Sequence, residues 1–230
     1  MDFPFPILLF LLFAAIAIAA GIFGAVAERR RRDALASAAA RLRMSFSPDR
    51  DHTLAKQFQW LDALAHGTNR YAQNVMAGVW RDHPATAFDY HYQVTTSNGK
   101  TSQTTHHHLA VFALTLPCPF PEIRIVPEDF GSRIAQALGW EDIDFESAEF
   151  SNAYVVRSKD RRFAYDVCHP RMMEFLLTHR DLRIEIEGNT LATWSPGRLR
   201  PDSVEFALDR IASVRGLLPA YLFSESGAHA

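Results

Sequence analysis

The sequence predicts an α+β protein in which an N-terminal transmembrane helix is followed by an antiparallel-sheet domain with covering helices and a C-terminal helix. Three observations carry this prediction. The stretch from Pro6 to Ala27 has no charged residue, strand-like alternation flanks an Asn98-Gly99 pair, and apolar residues recur at helical spacing from Val204 to Leu218. Hairpins grouped apart from helices are typical of the α+β class.

The N-terminal run contains 22 uncharged residues, from Pro6 to Ala27. At about 1.5 Å per residue, a helix of this length spans the ~30 Å hydrocarbon core of a bilayer. Ala25-Val26-Ala27 also has the small residues of a signal-peptide cleavage site. The run is longer than a typical signal-peptide core, however, and no Lys or Arg precedes it. We therefore expect an uncleaved membrane anchor.

The basic residues at the end of this run predict its orientation. Arg29, Arg30, Arg31 and Arg32 follow the run directly, and such residues are retained on the cytoplasmic side. We therefore expect a single-pass inner-membrane protein with its N-terminus outside the cytoplasm and its C-terminal domain in the cytoplasm. The expected divisions are an extracytoplasmic N-terminus (1–5), a transmembrane helix (6–27), a juxtamembrane helix and linker (28–50), a cytosolic α+β domain (51–223) and a flexible tail (224–230).

The first half of the cytosolic part contains two predicted helices and then a series of strands. The membrane helix is expected to continue through 28–43, with Leu35, Ala39 and Leu42 on one side. A second helix is expected between a capping residue (Asp49, Asp51 or Thr53) and Gly67. Alternation predicts strands at 71–80, 86–96 and 104–116, and Pro117, Pro119 and Pro121 are expected to interrupt the ladder before a short strand at 123–126.

The second half alternates predicted helices with two further hairpins. Helices are expected at 128–138, from Pro170 and from near Asp202, where Glu205 completes a capping-box pattern. One hairpin is expected at Lys159-Asp160, pairing Tyr154 with Tyr165 and Val156 with Phe163, and another at Gly188-Asn189. Hairpins closed by a C-terminal helix also resemble a pleckstrin-homology-like barrel, although the helices at 128–138 and 170–180 depart from that pattern.

Composition and motifs exclude several classes of function. Lys and Arg number 24 against 26 Asp and Glu, so no nucleic-acid partner is expected. The two cysteines, Cys118 and Cys168, are too few for a disulfide scaffold or a four-thiolate zinc site. The sequence also lacks the phosphate-binding, dinucleotide-binding, nucleophile-elbow and zinc-protease motifs. These absences favour a non-enzymatic role and leave an enzyme as the alternative.

The histidines beside Asn98-Gly99 form the strongest candidate site. A turn of two or four residues there would place His91 opposite His106 and Asp89 opposite His108, with all four side chains on one face. Three imidazoles and a carboxylate are suitable ligands for zinc. The alternative is a polar face exposed to solvent, and a turn of three or five residues would destroy the register.

Three segments resemble motifs of uncharacterised bacterial membrane-anchored proteins of unknown function. They are FDYHY (88–92), DIDFESAEFSNAYVV (142–156) and FAYDVCHPRMMEFLL (163–177). The resemblance covers about half of the cytosolic part and implies a bacterial inner-membrane setting. It assigns no catalytic residue.

Together these observations predict a membrane-anchored protein whose cytosolic domain acts as an interaction module, a scaffold or adaptor. The expected partners are the lipid bilayer and an unidentified membrane-associated protein. One alternative is a metal-binding enzyme or sensor that uses Asp89, His91, His106 and His108, with zinc as the cofactor. Another is a lipid-recognition module with a barrel-like sheet. Separately, the arginines at the membrane edge are expected to attract anionic headgroups by about 1 kcal/mol each.

Overall fold

The computed structural model describes residues 5–99, 101–129 and 142–225 of the chain. The helix predicted at 128–138 lies outside the described residues except for its first two positions. Within the described ranges the helices are α1 (Phe5–Arg41), α2 (His52–Gln57), α3 (Asp62–Ala65), α4 (Ala148–Ala153), α5 (Arg161–Val167), α6 (Pro170–Thr178), α7 (Val204–Leu217) and α8 (Ala220–Glu225). The strands are β1 (Ser45–Ser47), β2 (Thr68–Trp80), β3 (His83–Ser97), β4 (Ser102–Pro127), β5 (Tyr154–Ser158) and β6 (Ile184–Pro196).

The six strands form one antiparallel sheet, which confirms the predicted α+β class. The strand order is β1-β2-β3-β4-β5, and β6 pairs with β4. Because β4 residues 109–114 pair with both β3 and β6, these two strands lie on opposite edges of β4. The sheet is open, so the resemblance to a pleckstrin-homology-like barrel is wrong in this respect. A closed barrel would have required the end strands to pair.

Each face of the sheet is covered by a separate hydrophobic core. On β4, Phe112 and Leu114 point into a core shared with α1 and α7, whereas Leu109 and Val111 point into a core shared with α2 and α3. This division follows from the alternation of side chains along a strand. The β3 residue Asp89 has the same parity as Ala87, which lies in the α1 core. Asp89 therefore faces α1.

Helix α1 is the feature that joins the apolar N-terminal segment to the domain. It continues without a break from Phe5 to Arg41, as predicted. Its N-terminal half exposes large apolar side chains, with Phe10 at 70% and Phe23 at 75% exposure, whereas Leu35 and Ala39 are fully buried in the domain core. Among the described helices it is the one long and apolar enough to cross a membrane. The same helix therefore supplies the apolar segment and part of the core.

The single helix predicted between residues 49 and 67 is wrong, because the chain forms two short helices there. Asp51 caps α2 by accepting a hydrogen bond from the Leu54 amide at 2.8 Å, as one of the predicted caps. The helix ends at Gln57, and Leu61 is extended before α3 begins at Asp62. Breaking the helix lets Phe58, Leu61 and Leu64 all pack into the second core.

The hairpin predicted at Lys159-Asp160 is wrong. Asp160 is instead the N-cap of α5, and its carboxylate accepts a hydrogen bond from the Phe163 amide at 3.0 Å. Phe163 and Val167 are buried at helical spacing, so Phe163 and Tyr165 lie in a helix and cannot pair with β5. Because Asp160 caps a helix, the residues after it form α5 and not the second strand of a hairpin.

The hairpin predicted at Gly188-Asn189 is also wrong, because β6 continues through these residues as one strand along β4. Gly188 has a φ of 55° and lies opposite Phe120, at an irregularity in the pairing. The prolines predicted to interrupt β4 lie within the strand, in the same irregular region between Thr115 and Ile123. Proline is tolerated at such a position because no regular ladder hydrogen bond is required there.

The two later helices follow the sequence more closely. Pro170 begins α6 with Met172 and Leu176 buried, and α7 buries the predicted stripe that includes Val204 and Leu208. The predicted capping box is wrong, because the Asp202 carboxylate pairs with Arg200 at 3.0 Å and Ser203 occupies the N-cap position.

Candidate functional site

The register of β3 and β4 differs from the predicted one by two residues. His91 lies opposite His108, Gln93 opposite His106, and Asp89 opposite Ala110. The predicted pairs of His91 with His106 and Asp89 with His108 are therefore wrong. The last pair is Ser97 with Ser102, and the turn lies between these two residues. Because a shift of two residues preserves the faces of a strand, the three histidines remain on one side of the sheet.

The three histidines form a contact cluster on this face. The rings of His91 and His108 have centroids 5.1 Å apart, and those of His91 and His106 are 5.3 Å apart. His91 Nδ1 lies 3.2 Å from the carbonyl oxygen of Asn69, and His91 Nε2 lies 3.0 Å from His106 Nδ1. A carbonyl oxygen can only accept, so His91 donates from Nδ1.

Burial and nearby positive charge lower the pKa values of two of these histidines, His91 and His108. Burial is the largest cause of the lowered pKa of His91. For His108, burial and then the positive charge of Arg198 lower the pKa to about 4. Arg198 Nη2 lies 3.2 Å from His108 Nε2. Since a guanidinium can only donate, His108 accepts at this nitrogen.

Asp89, the fourth residue of the predicted site, belongs to a different set of contacts. Its side chain is fully buried. One carboxylate oxygen is 2.8 Å from both Arg31 Nη2 and Asn74 Nδ2, and the other accepts from the Leu199 amide. Asn74 has a φ of 52° at an irregularity of β2, which directs its amide towards Asp89.

These contacts bear on the predicted zinc site. Asp89 already accepts from three donors, and the facing nitrogens of His91 and His106 bond to each other. Within the described ranges, no group of three or more His, Cys, Asp or Glu residues is arranged to hold a metal ion. The geometry therefore supports a hydrogen-bonded cluster beside a buried ion pair more directly than a shared metal site.

The four arginines predicted as a basic membrane edge separate into two groups. Arg29, Arg30 and Arg32 are exposed. Arg31 is directed into the domain, where it contacts Asp89 and also donates to the Leu199 carbonyl at 3.2 Å. Arg31 thereby fixes α1 against β3 at the point where the apolar half of the helix ends.

Glu28 extends this junction towards the histidines. Its carboxylate lies 3.1 Å from Arg31 Nη2 and 2.9 Å from Arg198 Nη1. Arg198 in turn contacts His108. A continuous set of polar contacts therefore connects the end of the apolar helix to the histidine cluster.

A second buried polar network was missed by the sequence analysis. Arg124 of β4 lies opposite Glu185 of β6, with 3.5 Å between Arg124 Nε and a Glu185 oxygen. Arg124 also lies within 3.4 Å of Asp62 and 2.7 Å of Glu122. Trp194 Nε1 donates to Glu185 at 2.9 Å. Burial, the largest cause, raises the pKa of Glu185 to about 7.

A sequence signal for this network did exist. Arg124 lies between Ile123 and Ile125, and Glu185 lies between Ile184 and Ile186. Alternation therefore predicts that each charged side chain lies on the face of its strand opposite the isoleucines. That pattern normally indicates a solvated face. Only the placement of α3 over the sheet shows that these charges are buried, because the Asp62 amide donates to Glu185 at 3.2 Å.

Comparison with known proteins gives a likeness of fold. No protein-family model matches the chain, and no curated protein sequence matches it. The fold is similar to the crystal structure of the mycobacterial trehalose monomycolate transport factor A, TtfA, with a TM-score of 0.57 at 16% identity. The match covers 83% of this chain and 95% of that one. At this identity the likeness concerns the fold alone.

Proposed function

We propose that this chain is a membrane-anchored, non-catalytic adaptor. In this proposal α1 crosses the inner membrane, and the α+β domain lies on the cytoplasmic side. The domain binds a membrane protein that takes part in transport. The lipid bilayer and that protein are its partners.

The rigid connection between the apolar helix and the domain is the observation that carries the proposal. Helix α1 has no break between its exposed apolar half and the buried Leu35 and Ala39. Arg31 and the fully buried Asp89 lock this helix to β3 with a 2.8 Å ion pair. A flexible linker would let a domain sample many orientations, whereas a continuous packed helix fixes one. Fixed orientation is useful to a protein that docks onto another membrane protein.

Two further observations support the proposal. TtfA is named as a transport factor, and a shared fold makes a related accessory role a reasonable hypothesis for this chain. Arg29, Arg30 and Arg32 are exposed at the end of the apolar segment, where the positive-inside rule favours a cytoplasmic domain. Asp89 contacts α1 directly through Arg31, and His108 is connected to it through Arg198 and Glu28, so these contacts need no catalytic role.

The test uses the full-length chain in its native membranes. A short Gly/Ser segment inserted between Ala27 and Glu28 would keep the anchor and the packed half of α1 but remove the fixed orientation. After cross-linking and affinity purification, we expect the natural chain to recover a membrane transport protein in stoichiometric amount. The inserted variant should recover much less of it.

The same insertion between Asn98 and Gly99, in the exposed turn of the β3–β4 hairpin, is the matched control and should leave recovery unchanged. Repeated recovery of the chain alone would contradict the adaptor proposal. Equal recovery by the variant with an insertion after Ala27 would contradict the role assigned to the rigid helix.

A further inference from the structure

A groove of about 520 Å³ lies between α2 and the surface formed by β3, β4 and β6. This volume is within the range of small-molecule sites, about 300–1,000 Å³. The groove is distinct from the histidine cluster and from the Arg31–Asp89 junction. It is lined by residues of α2 and of the three strands, together with Phe58 and Trp60.

One wall of the groove is apolar and aromatic. Phe58 and Trp60 are stacked, with ring centroids 6.4 Å apart and an interplanar angle of 26°. The Trp60 carbonyl accepts a hydrogen bond from Arg124 Nη2 at 3.2 Å, which fixes the backbone at this position. The Trp60 indole N–H makes no hydrogen bond to any described residue. This wall therefore offers an aromatic surface and a free donor together.

The remaining wall carries polar side chains that are not used by the fold. Six of them make no side-chain hydrogen bond within the described part of the chain: Gln57, Thr86, Thr115, Glu187, Asn189 and Thr190. They come from α2 and from the three strands, so the tertiary structure brings them together. Five of the six are uncharged amides or hydroxyls, which both donate and accept hydrogen bonds.

The charge of the groove limits the chemistry of its ligand. Glu187 is the one charged residue in the lining, and no Lys, Arg or His is found among the described residues that line it. A phosphate or carboxylate ligand would contact no cationic side chain of this lining, and one carboxylate is too few for a divalent cation. A purely apolar ligand such as an acyl chain would leave the six polar side chains unpaired, which is costly. The lining therefore favours a neutral ligand rich in hydroxyl groups that also has an apolar face.

We propose that this groove binds a neutral saccharide of one or two rings. The C–H face of a sugar ring packs on the Trp60 side, and its hydroxyls exchange hydrogen bonds with Thr115, Asn189, Thr190 and Glu187. Thr115 and Thr190 are direct partners across β4 and β6, so two hydroxyls are presented side by side. The saccharide could be free or could be the headgroup of a glycolipid. The inference rests on the groove alone and does not depend on the adaptor role.

The test measures sugar binding to the full-length chain in a zwitterionic detergent that contains no sugar. Maltose and sucrose are the neutral probes, glucuronate is the charged comparison, and binding is followed by saturation-transfer NMR and calorimetry. We expect the neutral sugars to bind with dissociation constants in the millimolar range or below, and glucuronate to bind more weakly. An alkyl maltoside below its micellar concentration separates the two sources. Tighter binding than maltose indicates a glycolipid headgroup, and equal binding indicates a free sugar.

The double variant Thr115→Val, Thr190→Val removes two hydroxyls with little change of shape and should weaken maltose binding about tenfold. The matched control is Thr95→Val, Thr104→Val, which removes an exposed hydroxyl pair of the β3–β4 hairpin and should not affect binding. Trp60→Leu should abolish the sugar signal, and thermal unfolding of each variant checks its fold. No binding of neutral sugar at millimolar concentration would overturn the proposal. Unchanged maltose binding in both groove variants would also overturn the proposal. So would binding of a sugar-free alkyl chain that is as tight as that of the alkyl maltoside.

Discussion

At the scale of single residues, Asp89 connects three distant parts of the chain. Its buried carboxylate binds Arg31 of α1, Asn74 of β2 and the Leu199 amide that precedes α7. A buried carboxylate is tolerated only when donors replace its lost hydration. Asp89 therefore holds α1, the sheet and the C-terminal segment in one arrangement.

This role predicts that Asp89→Asn destabilises the protein by about 3 kcal/mol, because it leaves Arg31 without its buried charge partner. The free energy of unfolding is measured by urea denaturation of the full-length chain in detergent. Asp202→Asn is the matched control, since Asp202 pairs with Arg200 on the surface, and no measurable change is expected. Equal effects of the two substitutions would contradict the role assigned to Asp89.

The lowered pKa of His108 predicts that the protein loses stability in acid. Its pKa is 6.5 in a model peptide and about 4 in the folded domain. Between these values the unfolded state binds more protons, so stability falls as the pH is lowered through this window. His108→Gln removes the titrating group, and its unfolding free energy should decrease less than that of the natural chain from pH 6.5 to 4. Identical pH slopes in urea unfolding would show that His108 does not titrate in this way.

The raised pKa of Glu185 predicts the opposite dependence of stability on pH. Its pKa is raised from 4.5 to about 7 by burial, so the folded state binds more protons between these values. The stability that Glu185 contributes is present below this window and is lost as the pH rises through it. Glu185→Gln stays neutral, so its stability should decline less than that of the natural chain from pH 4.5 to 7. A steeper decline in the variant would contradict the assigned protonation.

At the scale of elements, Gly67 determines how α3 joins β2. It has a φ of 75°, and a Cβ there would lie 2.5 Å from the Gln93 carbonyl oxygen. Gly99 also has a positive φ, of 82°, but a Cβ there would meet no atom within 4 Å among the described residues. The two glycines therefore share a backbone conformation and differ in crowding.

We expect Gly99→Ala to cost about 1 kcal/mol from backbone strain alone. Gly67→Ala should cost about 3 kcal/mol, because it adds a collision with β3 that only a shift of backbone can relieve. Thermal and urea unfolding measure both values. Similar costs would show that the chain at Gly67 relaxes freely, against the close packing of α3 on the sheet.

At the scale of the whole molecule, the basic residues after the apolar segment are expected to set the orientation in the membrane. Replacing Arg29, Arg30 and Arg32 by Gln leaves the Arg31–Asp89 ion pair intact but weakens the positive flank. We expect a larger fraction of chains with the domain outside the cytoplasm, detected with a compartment-sensitive reporter fused to the C-terminus. The corresponding Lys variants keep the charge and should keep the orientation. Inversion in the Lys variants would show that charge is not the determinant.

Local sequence predicted several features of the whole molecule. The uncharged run from Pro6 predicted the long apolar helix, alternation predicted β2, β3 and the first part of β4, and helical spacing predicted α6 and α7. These predictions succeeded because hydrophobic periodicity and helix-starting residues act over a few neighbouring residues. Alternation also placed His91, His106 and His108 on one face, and the two-residue difference in register did not change that result.

Other features were decided only by tertiary packing. Asp160 starts a helix in place of a turn, Gly188 lies within a continuous strand, and Asp89 binds Arg31, which lies 58 residues away. The sequence alone determined that an apolar helix precedes a sheet domain and that polar residues gather beside Asn98-Gly99. The tertiary structure decided which polar groups are buried, which of them bind each other, and which remain free in the groove beside Trp60. The physical reason is that burial and hydrogen bonding between distant segments depend on how the helices cover the sheet, and no local pattern specifies that arrangement.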